Sequence, residues 1–262
     1  MNAPLPRYNV PGLERGLRLL QLFDRTRKYL TAAEMARVLA IPRSTAFRLA
    51  QTLEFLGFLG RDGDRYCVGP AVLRLGFEYI ASLDVAEFAR PLVERLRDET
   101  GLSAQLVIRD GREVVVALKA SPPSTFASNV TVGTRLPAHA TILGRVLLGD
   151  ADDQTLRALY PEATLPATTA QSPRTLAELK RLVAEDRARG YAVSESFFEQ
   201  GISAIAAPVR DDSGRIVAAV SVTAQRPSLE PKAFRERLVA QVLGTAAELS
   251  RQLNYRPADA AA

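Results

Sequence analysis

The chain is poor in the residues from which most metal centres and covalent catalysts are built. Its 262 residues include one cysteine, Cys67, and one histidine, His139. A single cysteine excludes an internal disulfide framework and any cysteine-rich metal cluster within one chain. One histidine without cysteine partners argues against the common zinc sites. There is no phosphate-cradling glycine motif. Ser203 and Ser221 sit in strand-like stretches with no nucleophile elbow and no evident base. Asp152-Asp153 and Asp211-Asp212 read as a helix start and a turn, in preference to paired catalytic carboxylates. No apolar run approaches the length that crosses a bilayer, and the N-terminus lacks a basic-then-apolar signal pattern. The expectation is a cytoplasmic protein with no catalytic residues, no metal, no cofactor and no membrane partner.

What the chain does have is positive charge gathered at one end. Residues 1–68 hold 11 Lys/Arg against 6 Asp/Glu, while the remainder holds 23 of each, so the net +5 belongs to the first quarter of the sequence. A patch segregated in this way is the electrostatic footprint expected of a surface that faces phosphates.

The stretch from Leu30 to Val68 gives that patch a shape. Thr31 is a helix N-cap, Glu34 completes a capping box, and Leu30 with Met35 forms a hydrophobic staple. Met35, Ala36 and Leu39 make a short apolar stripe that Ala40-Ile41-Pro42 interrupts. Pro42 suits the first position of a second helix, which runs to about Leu56 with Ala46, Leu49, Ala50 and Leu53 on one face. The opposite face begins with Arg43, Ser44, Thr45, Phe47 and Arg48, residue types that read base edges from the first turns of a recognition helix. Phe58–Arg61 and Arg65–Val68 then flank Asp62-Gly63-Asp64 as a hairpin, with Arg61 and Arg65 placed for phosphate and Cys67 as a small packed residue. Helix, turn, helix and basic hairpin describe a winged helix-turn-helix. The same shape also serves protein–protein contacts; the charge favours double-stranded DNA.

Around this head, residues 1–11 read as a flexible arm and Leu13–Asp24 as a helix completing a three-helix core, giving a head over 12–69. Pro70–Leu83 is amphipathic, so 70–84 is expected as a linker helix suited to self-association or signal transmission. Asp84 caps a helix over Val85–Thr100 that Pro91 should kink. Ser103–Arg109 and Glu113–Ala120 form a second hairpin, and Phe126–Val132 a third strand. Helices follow at Ala151–Leu159 and Pro173–Arg189, the latter capped by Ser172. Strands are expected at Tyr191–Ser194, Ser203–Arg210 and Arg215–Ala224, then a closing helix at Pro231–Leu253. Residues 85–254 thus read as an α+β domain with a largely antiparallel sheet, and 255–262 as a disordered tail. Between them, the proline-bent stretch Arg135–Gly144 delivers small residues to a helix start, a place attractive to an anion. His139 there reads first as a loop histidine bonded to backbone, and alternatively as a contact to a bound acid.

These residues resemble the IclR family of bacterial transcription regulators over nearly everything from Leu13 to about Leu253. The resemblance is carried by LERGLRLLQLF, by the head LTAAEMARVLAIPRSTAFRLAQTLEFLGFL, by LPAHATILGRVLL and by GISAIAAPVRDDSGRIVAAVSV. It implies a winged-helix head, a linker helix and a GAF-like sensor domain for a small organic acid. It also implies homodimers, often paired as tetramers, on palindromic operators. Matched by position, the implied effector contacts are Thr141, Ile142, Leu143 and Gly144 at the helix start, Ser194, and Ile202, Ser203 and Ala204. Gln105 and Val107 on the hairpin, and His139, complete the expected set. Members often carry a small polar or glycine-like run where this chain has Ile142-Leu143, and an acidic pair where it has the run from Ser194 to Glu199. Both departures imply a pocket more apolar than a tiny polar acid such as glyoxylate requires. The RLPAHAT and GRVLL wording is similar to the branch that senses aromatic acids of the protocatechuate and hydroxybenzoate pathways. The rival expectation is a small-acid-metabolising enzyme whose winged-helix head mediates assembly.

Overall fold

The computed structural model describes residues 8–24, 26–75, 84–123, 130–195, 201–225 and 228–256. Two compact units divide the chain between Ser82 and Leu83.

In the first unit, helices α1 (Pro11–Leu20), α2 (Ala32–Leu39) and α3 (Arg43–Phe55) pack around Leu19, Met35, Ala46 and Ala50, none of which meets solvent. The α1 helix starts earlier than the sequence suggested, because Pro11 occupies its first turn, and ends at Leu20. Asp24 lies beyond it, where its carboxylate accepts from the Thr26 and Arg27 N–H groups and tightens a turn. The capping box is present: Thr31 Oγ1 accepts from Glu34 N–H at 3.2 Å, and the Glu34 carboxylate accepts from Thr31 N–H at 2.7 Å. Those bonds, the Thr31 N–H first, hold the Glu34 carboxyl below the usual glutamate range. The cap is therefore intact at neutral pH and is lost as pH falls through that lowered value. Ala40 ends α2 in the left-handed region. Pro42 stands at the N-cap of α3 and not at its first helical position, its extended ψ opening the helix while its carbonyl accepts from Thr45 and Ala46.

Strands β2 (Leu59–Asp62) and β3 (Arg65–Val68) form the hairpin, with Asp62 paired to Arg65 around Gly63-Asp64. The turn is one residue tighter than Asp62-Gly63-Asp64, and Gly63 supplies the positive φ it requires. A third strand, β1 (Leu30–Thr31), pairs with β3 and was not legible, since two residues carry no period. Of the linker helix expected over 70–84, residues 71–75 are helical and 76–83 lie outside the described residues.

The second unit is a six-stranded antiparallel sheet in the order β6-β5-β4-β9-β8-β7. Its strands are β4 (Ser103–Asp110), β5 (Glu113–Ala120), β6 (Arg135–Pro137), β7 (Ala192–Glu195), β8 (Ser203–Arg210) and β9 (Ile216–Ala224). Strand alternation splits the core in two. Leu106, Ile205, Val220 and Val222 face α4 (Asp84–Thr100) and α8 (Lys232–Gln252). Val107, Val116, Ala206 and Ala219 face α5 (Ile142–Leu147), α6 (Asp153–Leu159) and α7 (Leu176–Arg189). A register shift between Leu106 and Val107 leaves Ala117 without a partner on β4. Ala117 and Leu118 consequently both face α4 and α8, and Lys119 returns to the side of α5.

Several boundaries differ from the sequence reading. Asp84 lies inside α4, which continues through Pro91. The third strand is Arg135–Pro137; of Phe126–Val132, residues 126–129 lie outside the described residues and 130–132 form no strand. Thr175 caps α7 in place of Ser172, whose buried hydroxyl instead accepts from the Thr168 and Thr169 N–H groups. Residues 1–7 of the expected arm and 257–262 of the expected tail lie outside the described residues. No helix among the described residues is long and apolar enough to cross a membrane.

Candidate DNA interface and effector site

Helix α3 presents Arg43, Ser44, Phe47 and Arg48 to solvent, with Thr45 half-buried at its flank. A groove of about 460 Å³ gathers Arg43, Ser44 and Phe47 with Arg61 of the wing and with Thr31, Ala32 and Ala33 at the start of α2. Thr45, Arg48 and Arg65 lie outside that groove. The Arg43 and Arg48 side chains make no hydrogen bond or ion pair among the described residues, so both guanidiniums are available to an external acceptor. Arg61 differs. Its Nε donates to the Gly63 carbonyl at 2.9 Å, and its guanidinium lies 5.6 Å from the centre of the Tyr66 ring. It therefore braces the wing it decorates. Tyr66 fills the base of the groove with a buried hydroxyl that has no partner among the described residues.

In the second unit, α5 begins under the 3-10 turn Ala138–Ala140, and Thr141 Oγ1 accepts from Gly144 N–H at 3.1 Å. That bond commits Thr141 to capping. Gly144 has a packing role, since a Cβ there would fall 2.0 Å from the Ala138 carbonyl oxygen, so only glycine lets turn and helix approach this closely. Ile142 and Leu143 are buried in the core that faces the sheet. His139 is buried, its Nε2 donating to the Pro166 carbonyl at 2.7 Å while its ring meets Tyr160 edge-on at 5.8 Å. The backbone-bonded reading of this histidine is the one the structure supports.

Register decides which strand residues share a face. Gln105 pairs with Ser221, which pairs with Ala206; Ala204 pairs with Thr223 and Ser194. Gln105, Val107, Ala204 and Ser194 thereby share the side of α5, whereas Ser203 pairs with Ala224 and Glu195 on the side of α8. Glu195 confirms that side, because its carboxylate accepts from Leu229 N–H and from Arg235 of α8. The structure separates Ser203 from the other expected contacts by one step of the pleat, and Ile202 precedes β8. Ser221, set aside in the sequence for want of a catalytic motif, shares this face: it is fully buried beside Gln105, and its Oγ has no hydrogen-bond partner among the described residues. The alternation of IVAAVSVTA against Ser103–Arg109 was the signal that could have found it.

Behind α5, Arg145 Nε donates to Asp186 Oδ2 of α7 at 2.7 Å, with both side chains almost fully buried. Burial pushes the Asp186 carboxyl up and the Arg145 guanidinium down, each opposed by the charge of the other.

Residues 12–63 match the IclR helix-turn-helix domain, and residues 77–251 match the bacterial transcriptional regulator IclR C-terminal domain. The chain is 32% identical over 245 residues to the Pca regulon regulatory protein of Pseudomonas putida, covering 93% of this chain and 84% of that one. It is 31% identical over 255 residues to the HTH-type transcriptional regulator XynR of Escherichia coli K12, covering 94% and 98%. Among solved structures, an IclR homolog complexed with 4-hydroxybenzoate from Microbacterium hydrocarbonoxydans superposes with a TM-score of 0.81 at 25% identity, covering 93% of this chain and 99% of that one. A winged helix-turn-helix with free guanidiniums, a second domain with a mixed polar and apolar sheet face, and family models that match both parts of the sequence lead to one identification: the chain belongs to the IclR family of bacterial transcriptional regulators.

Proposed function

We propose that this regulator senses a small organic acid, of the aromatic class, in its second domain and adjusts its grip on a palindromic operator near catabolic genes. The observation that carries the sensor reading is the Gln105–Ser221 pair, two buried polar residues on the sheet face that packs, with Val107, toward Ile142 and Leu143 of α5, the Ser221 Oγ having no hydrogen-bond partner among the described residues. Buried polar groups are normally hydrogen-bonded, and a ligand with an apolar ring and a polar end would satisfy the Ser221 hydroxyl. The Pca regulon relative and the 4-hydroxybenzoate complex of a structural neighbour support the aromatic class. In this reading the effector set is Gln105, Val107, His139, Thr141, Ile142, Leu143, Gly144, Ser194, Ile202, Ala204 and Ser221. His139, Thr141 and Gly144 shape the pocket more than they touch its occupant, and Ser203 acts from behind the sheet. Arg43, Ser44, Thr45 and Arg48 contact DNA, Phe47 packs on base methyls or sugar, and Arg61 and Arg65 meet phosphate. A homodimer or tetramer in the cytoplasm matches a two-fold operator. The domain division is an arm over 1–11, a head over 12–69, a linker over 70–84, a sensor over 85–254 and a tail over 255–262.

Binding of the full chain to the DNA upstream of its own gene, with and without aromatic and short aliphatic acids, tests the whole scheme. Specific, salt-sensitive binding modulated by an aromatic acid is expected. Modulation by aliphatic acids alone would remove the aromatic class, and no specific binding under any condition would remove the operator reading. Arg61→Ala is expected to weaken all DNA sequences alike and to lower the salt slope by about one unit, the signature of a lost phosphate contact. A loss confined to the operator would reassign Arg61 to base reading.

A further inference from the structure

We propose that a groove along the outermost strand of the sheet, apart from the effector face, binds a second small organic acid, with Arg189 receiving its carboxylate. The groove offers about 490 Å³, within the range of small-molecule sites. It runs beside β7, the last strand of the sheet, where Val193, Ser194 and Glu195 line it together with Leu182 and Arg189 of α7 and Arg235 of α8. Neither Gln105 nor Ser221 borders it, so the site stands independently of the effector reading above.

Three carboxylates border the groove, and each already holds a cation of its own. Glu185 accepts from Arg181 Nη1 at 2.6 Å, Asp186 from Arg145 Nε at 2.7 Å, and Glu195 from Arg235 Nη2 at 2.7 Å. Arg235 is engaged further by Glu230. This one-to-one pairing leaves Arg189 as the surplus guanidinium. Its Nη1 lies 3.7 Å from Asp186 Oδ1, too far for a hydrogen bond, and its side chain is 38% exposed. The Tyr191 ring, with its centre 5.5 Å from the guanidinium carbon, supports it from one side. The Gln171 side-chain amide and the Ser194 hydroxyl line the same groove and make no hydrogen bond among the described residues. A surplus guanidinium beside idle donors suits an oxyanion that carries further polar groups. The planar fork of an arginine takes a carboxylate through two parallel bonds. Leu182 and Val193 offer apolar contact to a short carbon skeleton. A small acid bearing a hydroxyl or a second polar group meets all of these.

Calorimetric titration of the full chain with malate, with inorganic phosphate and with the neutral diamide of malate tests this. The wild type is expected to bind malate in preference to both. Arg189→Gln is expected to lose ~5–30-fold in affinity for malate, the worth of a hydrogen bond to a charged group discounted for a partly exposed side chain. Its urea midpoint should stay near that of the wild type. Gln171 is exposed in a turn, and Gln171→Ala is expected to lose ~2–10-fold, which decides the matter should Arg189→Gln fail to fold. Malate binding that is lost in Arg43→Ala and kept in Arg189→Gln would place the acid on the head. The same pattern in Ser221→Ala would place it on the effector face, and either result overturns the groove. An equal loss for malate and its diamide in Arg189→Gln would mark the arginine as structural. Phosphate held more tightly than malate through Arg189 overturns the carboxylate class, and a wild type that does not bind malate overturns the whole proposal. Arg189→Gln should bind 4-hydroxybenzoate as the wild type does, so failure of the aromatic reading leaves the malate result standing.

Discussion

Replacing Asp186 by leucine is expected to cost about 3–5 kcal/mol of stability in the second domain, the usual cost of removing one member of a buried ion pair. Arg145 and Asp186 are 4% and 6% exposed, so water cannot take over for the lost carboxylate. Burial pushes the Asp186 carboxyl up and the Arg145 guanidinium down, against the attraction of each for the other, as desolvation of a buried pair does. Removing both charges should therefore be milder than removing one: Arg145→Met with Asp186→Leu is expected to recover most of the loss. Arg145→Met alone should fall between the two, because Arg189, with its Nη1 3.7 Å from Asp186 Oδ1 and its side chain 38% exposed, can move to the abandoned carboxylate. Urea unfolding of the four proteins measures this. A double variant as unstable as Asp186→Leu would mean that shape, and not charge, holds α5 against α7.

Arg48→Ala is expected to weaken operator binding by ~1–3 kcal/mol while barely changing affinity for random DNA. The side chain is exposed near the start of α3, makes no hydrogen bond or ion pair among the described residues, and lies outside the groove that collects Arg43 and Arg61. Its removal should leave the melting temperature of the head unchanged, so a loss in binding is a loss of contact to DNA. Competition binding with operator and random duplexes separates the cases. Equal losses on both would move Arg48 from base reading to phosphate positioning. Arg61 offers the contrast, because truncating it also releases the Gly63 carbonyl and uncovers Tyr66.

The head was largely legible because its determinants are local. Thr31 and Glu34 lie three residues apart and cap α2 whatever else the chain does. The apolar spacing of Ala46, Leu49, Ala50 and Leu53 fixes which face of α3 is left for DNA, and Gly63 fixes the turn of the wing. Helix ends were less legible: Thr175, not Ser172, caps α7, since two hydroxyl residues three apart can each compete for the same end. The two-residue strand β1 has no period to read and exists because β3 offers it a partner.

For the second domain, the sequence by itself determined the strands other than β6, their antiparallel hairpins and the loop that leads into α5, since turn residues and alternation are properties of short stretches. Which side chains meet on one face was decided only in three dimensions. Ser203 and Ala204 are neighbours in the chain and opposites on the sheet. Lys119 reaches the side of Gln105 through a single unpaired residue at Ala117, and Ser221 meets Gln105 because β9 lies beside β4. Pairing register couples residues more than a hundred positions apart, and with a side-chain period of two, a shift of one residue exchanges every face.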